Sequence, residues 1–176
     1  SSAQQPAKIP RIGFLGGVSA QAVSARIDAF RQSLRELGYV EGKNLIIEYR
    51  YADNKLDRLP ALAAELVRLK VDVIVTGGPG STRASKEATA SIPIVMAQDI
   101  DPVTTGLVAS LARPGGNVTG FATFAPEISG KQLEILKESV PRAMHVTALG
   151  TSTTPGSALI VKEVERAAPV LGVKLQ

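Results

Sequence analysis

From Arg11 onward, short β-branched runs alternate with longer segments in which apolar residues recur every three to four positions. That alternation limits the fold more than any other feature. Strand, helix and strand in series imply right-handed crossovers, and so a parallel sheet with helices on both faces. The first run, RIGFLGG (11–17), reads as a strand running into a Gly-rich turn. Ser19 then offers an N-cap for a helix over 20–37, whose buried face is Ile27, Phe30, Leu34 and Leu37. Gly38 is placed to end it.

The pattern repeats. A second strand is expected over 44–51, followed by a helix with the stripe Leu59, Leu62, Ala63, Leu66 and Leu69. A third strand over 71–76 leads into GGPG (77–80), and Ser81 or Thr82 is expected to open a third helix to about residue 90. A fourth strand covers 92–97, with Pro93 near its start, where a missing donor matters least. A fourth helix is expected over 103–112, stopped by RPGG (113–116), and a fifth strand over 117–121. Then come a helix over 128–139, a strand over 146–151, a helix over 157–171 and a strand over 173–176. The expected fold is therefore α/β: a doubly wound parallel sheet over 8–121, after a leader of residues 1–7. An incomplete second α/β lobe over 122–176 follows. Two or three strands leave a parallel edge unpaired and little core.

Composition excludes several functions. There is no Cys, which removes disulfides, zinc ribbons, iron–sulfur clusters and thiol nucleophiles. The single histidine, His145, cannot build a multi-histidine metal site and has no Ser/Asp set beside it for a triad. Aromatic residues are 4% of the chain and Trp is absent, too few for a base-stacking platform. Net charge is +4, from 20 basic and 16 acidic residues scattered along the chain, so nucleic acid is not an expected partner. No apolar run reaches the ~20 residues needed to span a bilayer. The polar 1–10 segment, without an initiator Met or an apolar core, reads as the start of a mature chain after signal removal, or of a recombinant one.

The candidate chemistry lies on one edge of the expected sheet. Ligands bind open α/β sheets at the carboxyl ends of the strands. The turn after strand one carries Gly17, Val18 and Ser19. The turn after strand three carries Gly78, Pro79, Gly80, Ser81 and Thr82. Gln98 and Asp99 follow strand four. A Gly-rich turn into a helix points bare N–H groups at the crevice, where the helix dipole favours an anion such as a ligand carboxylate, and Ser81 and Thr82 add hydroxyls. The bland reading is a tight turn plus a cap. The dinucleotide pattern G-x-G-x-x-G fails at Arg83 and follows the third strand, not the first. No G-x-x-x-x-G-K-[ST] occurs. A phospho-acceptor receiver needs acids after strand one, where Gly16 and Gly17 stand. Asp101 before Pro102 reads as a helix cap. Glu134 and Glu138, with Lys131 and Lys137 between, read as a solvated helix face. No acid and base aim at one point, so neither a catalytic set nor a cofactor is expected.

The run DPVTTGLVASLARPGGNVTG (101–120) carries a resemblance. It is similar to the D-P-V-x-x-G-L-V-x-S-L-A-R-P-G-G-N-V-T-G signature of a family of ABC transporter substrate-binding proteins that take up aromatic amino acids such as tryptophan. RIGFL (11–15), FRQSLRELGY (30–39), EGKN (41–44) and KQLEILK (131–137) agree with it. The resemblance implies a type I periplasmic-binding-protein fold, with two Rossmann-like lobes closing on a solute. It implies a solute receptor without catalysis, working in a Gram-negative periplasm and handing its ligand to an ABC permease in the inner membrane. It adds Ala122, Thr123 and Phe124, on the segment crossing between lobes, and Thr151 and Ser152 to the crevice turns as candidate ligand contacts. Amino-acid binders of the family tend to carry an acid soon after the NVTG strand. Here FATF (121–124) has none, and Phe124 is suited to wall an apolar or aromatic pocket, or to pack in a core. A chain with one lobe and a fragment is expected to bind weakly, or to self-associate through the second lobe. Two other functions compete: a ligand-sensing regulatory core, and an enzyme on a flavodoxin-like sheet.

Overall fold

The computed structural model describes residues 8–123, 125–149 and 157–176, without the side chains of 125–127. Its main sheet has five parallel strands: β1 (Arg11–Gly16), β2 (Ile46–Tyr51), β3 (Val73–Thr76), β4 (Ile94–Ile100) and β5 (Val118–Thr123). Their order is β2-β1-β3-β4-β5, so the chain winds one way from β1 to β2 and the other way from β3 onward. That is the doubly wound sheet expected from the alternation.

Strand side chains alternate between two buried faces. Leu15, Ile74, Ile94, Met96 and Val118 point to one face. Helices α2 (Leu59–Arg68) and α3 (Pro79–Ala88) close it through Leu59, Leu62, Ala63, Leu66 and Ala84. Ile12, Phe14, Ile47 and Val75 point to the other face, toward Ile27, Phe30 and Leu34 of α1 (Ser24–Glu36). Burial on both faces explains why these strands read as near-continuous apolar runs. Short 3-10 turns precede α1 at Gln21–Val23 and α2 at Leu56–Arg58. Past β5, α4 (Ala125–Ser139) packs on α5 (Ser157–Val170), and β6 (His145–Val146) pairs in parallel with β7 (Lys174–Leu175).

Three expectations are corrected. Residues 103–112 do not form a helix. The Asp101 side chain caps one turn, accepting the Thr104 N–H at 3.1 Å, and the turn ends at Gly106, whose φ is +73°. Val103, Thr104 and Thr105 are poor helix formers, so tertiary burial of Leu107 and Val108 is satisfied from a loop instead. Neither Ser81 nor Thr82 opens α3. Pro79 occupies the first turn and Gly78 the cap position. Gln98 and Asp99 do not lie in a loop after β4. They lie within it, because a register shift between Met96 and Asp99 carries the strand on to Ile100, where it pairs with Thr123. Similarly, β5 runs through Ala122 and Thr123, two residues beyond the expected end.

Candidate functional site

The carboxyl ends of β1 and β3 are tied together by the Gly77 N–H, which donates to the Leu15 carbonyl at 3.0 Å. The turn after β1 is also held by the next loop: Ala52 N–H donates to Gly16 O and Asn54 N–H to Gly17 O, each at 2.9 Å. These bonds fix two Gly-rich turns side by side. Between them lies a hollow of 170 Å³ lined by Gly17, Val18, Leu56, Leu59 and residues 77–81. Its volume is below the ~300–1,000 Å³ of a whole small-molecule site, as expected for one wall of a cleft.

The local conformation of the second turn depends on Gly78. Its φ of +142° with ψ of 170° is a backbone region that side chains avoid. Pro79 at the first helical position has no N–H to leave unpaired, and the first intrahelical bond runs from Thr82 N–H to Gly78 O at 3.0 Å. The Gly80 and Ser81 N–H groups therefore have no intrahelical acceptor, at the positive end of the α3 dipole. This end of the hollow is suited to an anion.

The structure thus brings Gly17, Val18, Gly78, Pro79, Gly80 and Ser81 to one hollow. Ser19 is adjacent, and its hydroxyl accepts the Ala22 N–H at 3.4 Å, starting the turn that leads to α1. Thr82 does not face the hollow. It is fully buried, with its hydroxyl 2.8 Å from that of Thr76 and donating to Gly78 O at 3.1 Å. Asp99 is also fully buried. One carboxylate oxygen accepts the Ile100 N–H at 2.8 Å, and its main-chain carbonyl accepts the Thr123 hydroxyl at 3.2 Å. Gln98 is exposed and lines a separate groove of 330 Å³ with Phe14, Ile27 and Phe30. Phe124, Thr151 and Ser152 lie outside the described residues.

Sequence reasoning missed Leu56 and Leu59 as walls of the hollow. Leu59 reads as part of the core stripe, and Leu56, 39% exposed, carries only the signal of an apolar residue just ahead of a helix. Among the described residues, no group of His, Asp and Glu is arranged to hold a metal.

Comparison with known proteins decides the family. Residues 11–176 match the family described as ABC transporter substrate binding protein. The chain belongs to that family. It is 33% identical over 132 residues to the tyrosine-binding protein of Clostridioides difficile (strain R20291), a match covering 75% of this chain and 38% of that protein. It superposes on a conserved domain protein of Vibrio cholerae with a TM-score of 0.86 and 28% identity, over 96% of this chain and 56% of that one. A Streptococcus pneumoniae ABC domain in complex with L-Trp gives a TM-score of 0.84 and 26% identity, over 95% of this chain and 56% of that one. The chain thus spans about half the length of these solved structures. Its sheet is a lobe of the type I periplasmic binding protein fold.

Proposed function

We propose that this chain supplies one wall of a solute receptor for an ABC importer, holding a small molecule such as an amino acid or another small carboxylate in a cleft without chemistry. The carrying observation is the 170 Å³ hollow between two Gly-rich turns, whose lining includes Gly80 and Ser81 of the first turn of α3. The solute's carboxylate sits at those N–H groups, where charge-assisted bonds are strongest. Its apolar body lies against Val18, Leu56 and Leu59. Residues 17–19, 78–81 and 123–124, with Thr151 and Ser152, form the contact set. Gln98 faces another groove, and Thr82 and Asp99 act from beneath the turn. The first lobe spans 8–121, residues 122–124 form the crossing segment, and the partial second lobe covers 122–176.

Relatives that bind tyrosine and tryptophan support an amino-acid or aromatic solute. Substrate-binding proteins of ABC transporters are extracytoplasmic and are not enzymes. We place this one in the periplasm, delivering to an inner-membrane permease. No observation favours a regulatory core or an enzyme.

The test is isothermal calorimetry of the full-length protein with L-tyrosine, L-tryptophan and simple aromatic carboxylates. Saturable binding without turnover is expected. Val18→Asp puts a negative charge on the hollow and should weaken carboxylate binding about tenfold, ~1.4 kcal/mol, with the melting temperature unchanged. No binding of any of these solutes by the wild-type protein overturns the reading.

A further inference from the structure

Among the described residues, two buried side-chain oxygens lack a hydrogen-bond partner: Asp99 Oδ2 and Ser85 Oγ. They belong to β4 and α3, which pack on each other directly behind the crevice turn. Asp99 is 0% exposed. The neighbouring hydroxyl is Thr82, but its single proton is contested by the Gly78 carbonyl at 3.1 Å and the Thr76 hydroxyl at 2.8 Å. Oδ2 is thus left without an aligned donor. An ionised carboxylate in that position is costly, and the Thr82 hydroxyl offsets that cost only in part.

We propose that Asp99 is a positioning residue for the crevice, its carboxyl acting through Thr82 on the Gly77–Ser81 turn so that solute affinity falls as the carboxyl ionises. This inference rests on the solute-receptor reading for its effect on affinity, but not for its effect on the turn.

The linkage is short. Thr82 is the residue whose N–H and hydroxyl both donate to Gly78 O, so it fixes the cap of α3. The bulge between Met96 and Asp99 is what aims the Asp99 side chain beneath that helix. Burial pushes the carboxyl above the ordinary aspartate range, while the Thr82 hydroxyl, the Ile100 N–H and the Arg83 charge pull it back only in part. The charged groups on the surrounding segments are Arg83, Lys86 and Glu87 of α3 and Asp101 just after β4. Arg83 donates to Thr105 O at 3.2 Å. Lys86 donates to Gly106 O and Leu107 O, at 2.8 and 3.0 Å. Asp101 caps its own turn. The strands on either side, VIVT (73–76) and VTGFAT (118–123), carry no charge. The Arg83 charge offsets the burial of a carboxylate there only in part. Solute in the crevice excludes more water and favours the protonated form further, so binding takes up a proton. Each unit by which the pKa differs between bound and free forms changes affinity up to tenfold across the titration.

The experiment is carbon-detected NMR of the Asp99 carboxyl, with the Gly80 and Ser81 amide shifts followed from pH 3 to pH 9 in the full-length protein, beside tryptophan and tyrosine titrations at pH 5 and pH 8. The Asp99 carboxyl is expected to titrate above ordinary aspartates, and the two amides to follow with the same midpoint. Affinity should fall about tenfold from pH 5 to pH 8. Asp99→Asn should flatten that dependence. Thr82→Val should move the carboxyl midpoint upward. If Asp99 titrates as an ordinary aspartate, or if Gly80 and Ser81 do not follow it, the proposal is overturned. The same holds if Asp99→Asn leaves the pH slope intact. If the wild type binds neither amino acid while the amides still follow Asp99, the positioning stands and the solute reading fails alone.

Discussion

The two ends of the five-stranded sheet treat an aspartate in opposite ways. Asp72 stands just before β3, at the amino end. It is 38% exposed by side chain, bridged to Lys8, and its carboxylate accepts the Arg11 N–H at 2.8 Å. These partners hold it below the usual carboxylate range, the Lys8 bond first and the Arg11 N–H next. Asp99 stands at the carboxyl end of β4, fully buried, with one oxygen unpartnered and its proton held above that range by burial. One end spends its acid on fastening strands, and the other buries one at a cost. A fold built for stability alone would place a valine at position 99. The carboxyl edge is also where the positive-φ Gly78 sits and where the β4–β5 register shifts. Those two departures lie on the edge where α/β sheets take their ligands.

The sharpest way to break this comparison is at Gly120. A Cβ there would lie 2.2 Å from Met96 O and 2.6 Å from Met96 N, and φ is +132°. Met96 is the residue from which the β4 register shifts, so Gly120 lets the two strands approach closely just ahead of the bulge. Gly120→Ala should cost about 4 kcal/mol, from backbone strain of ~1–3 and overpacking of ~1–3. Chemical denaturation would measure it. A loss under 1 kcal/mol would mean the seam is slack, and the carboxyl edge would no longer differ from the amino edge.

The second test is smaller and more local. Gly78→Ala places a side chain at φ of +142° but meets nothing within 4 Å, so it carries strain without a clash. A stability loss of ~1–2 kcal/mol is expected, together with faster amide exchange at Gly80 and Ser81. Exchange that rises equally throughout α3 would show that the turn and the helix open as one unit.

Much of the architecture was legible in the sequence, because burial on both faces forces the apolar runs and the helical stripes. The Leu59–Leu62–Ala63–Leu66 stripe and the Ile27–Phe30–Leu34 face pack as their spacing requires, but Leu37, expected to continue that face, follows the end of α1 and is 74% exposed. The carboxyl-edge turns were legible for the same reason: glycines after a strand have few other uses. What failed was decided by contacts at a distance. The apolar residues of 103–112 mimic a helix, but Gly106 in the left-handed region breaks it after one turn. Asp99 reads as a loop acid, since nothing local announces a bulge. Thr82 reads as a crevice hydroxyl, but Pro79 starts the helix early and turns it inward onto Thr76. In the second unit, β6 starts at His145, one residue ahead of the expected strand, and pairs in parallel with β7.

The smallest expected effect sets the sign of the comparison. Asp72 has its folded pKa lowered, so its contribution is present above the ordinary aspartate pKa and is lost as pH falls through the folded value. Asp99 has its folded pKa raised, so its penalty is absent below the ordinary pKa and grows as pH rises through the folded value. Asp72→Asn should therefore lower stability at pH 7 and leave it unchanged at pH 2. The loss should be only about 0.5 kcal/mol, because the bridge to Lys8 is solvent-screened. Asp99→Asn should do the reverse, raising the melting temperature at pH 8 and not at pH 3. Melting curves of both variants over pH 2–9 make one measurement of the two ends. Slopes of the same sign would mean that the buried carboxyl has found a partner, and that the carboxyl edge carries no stored cost.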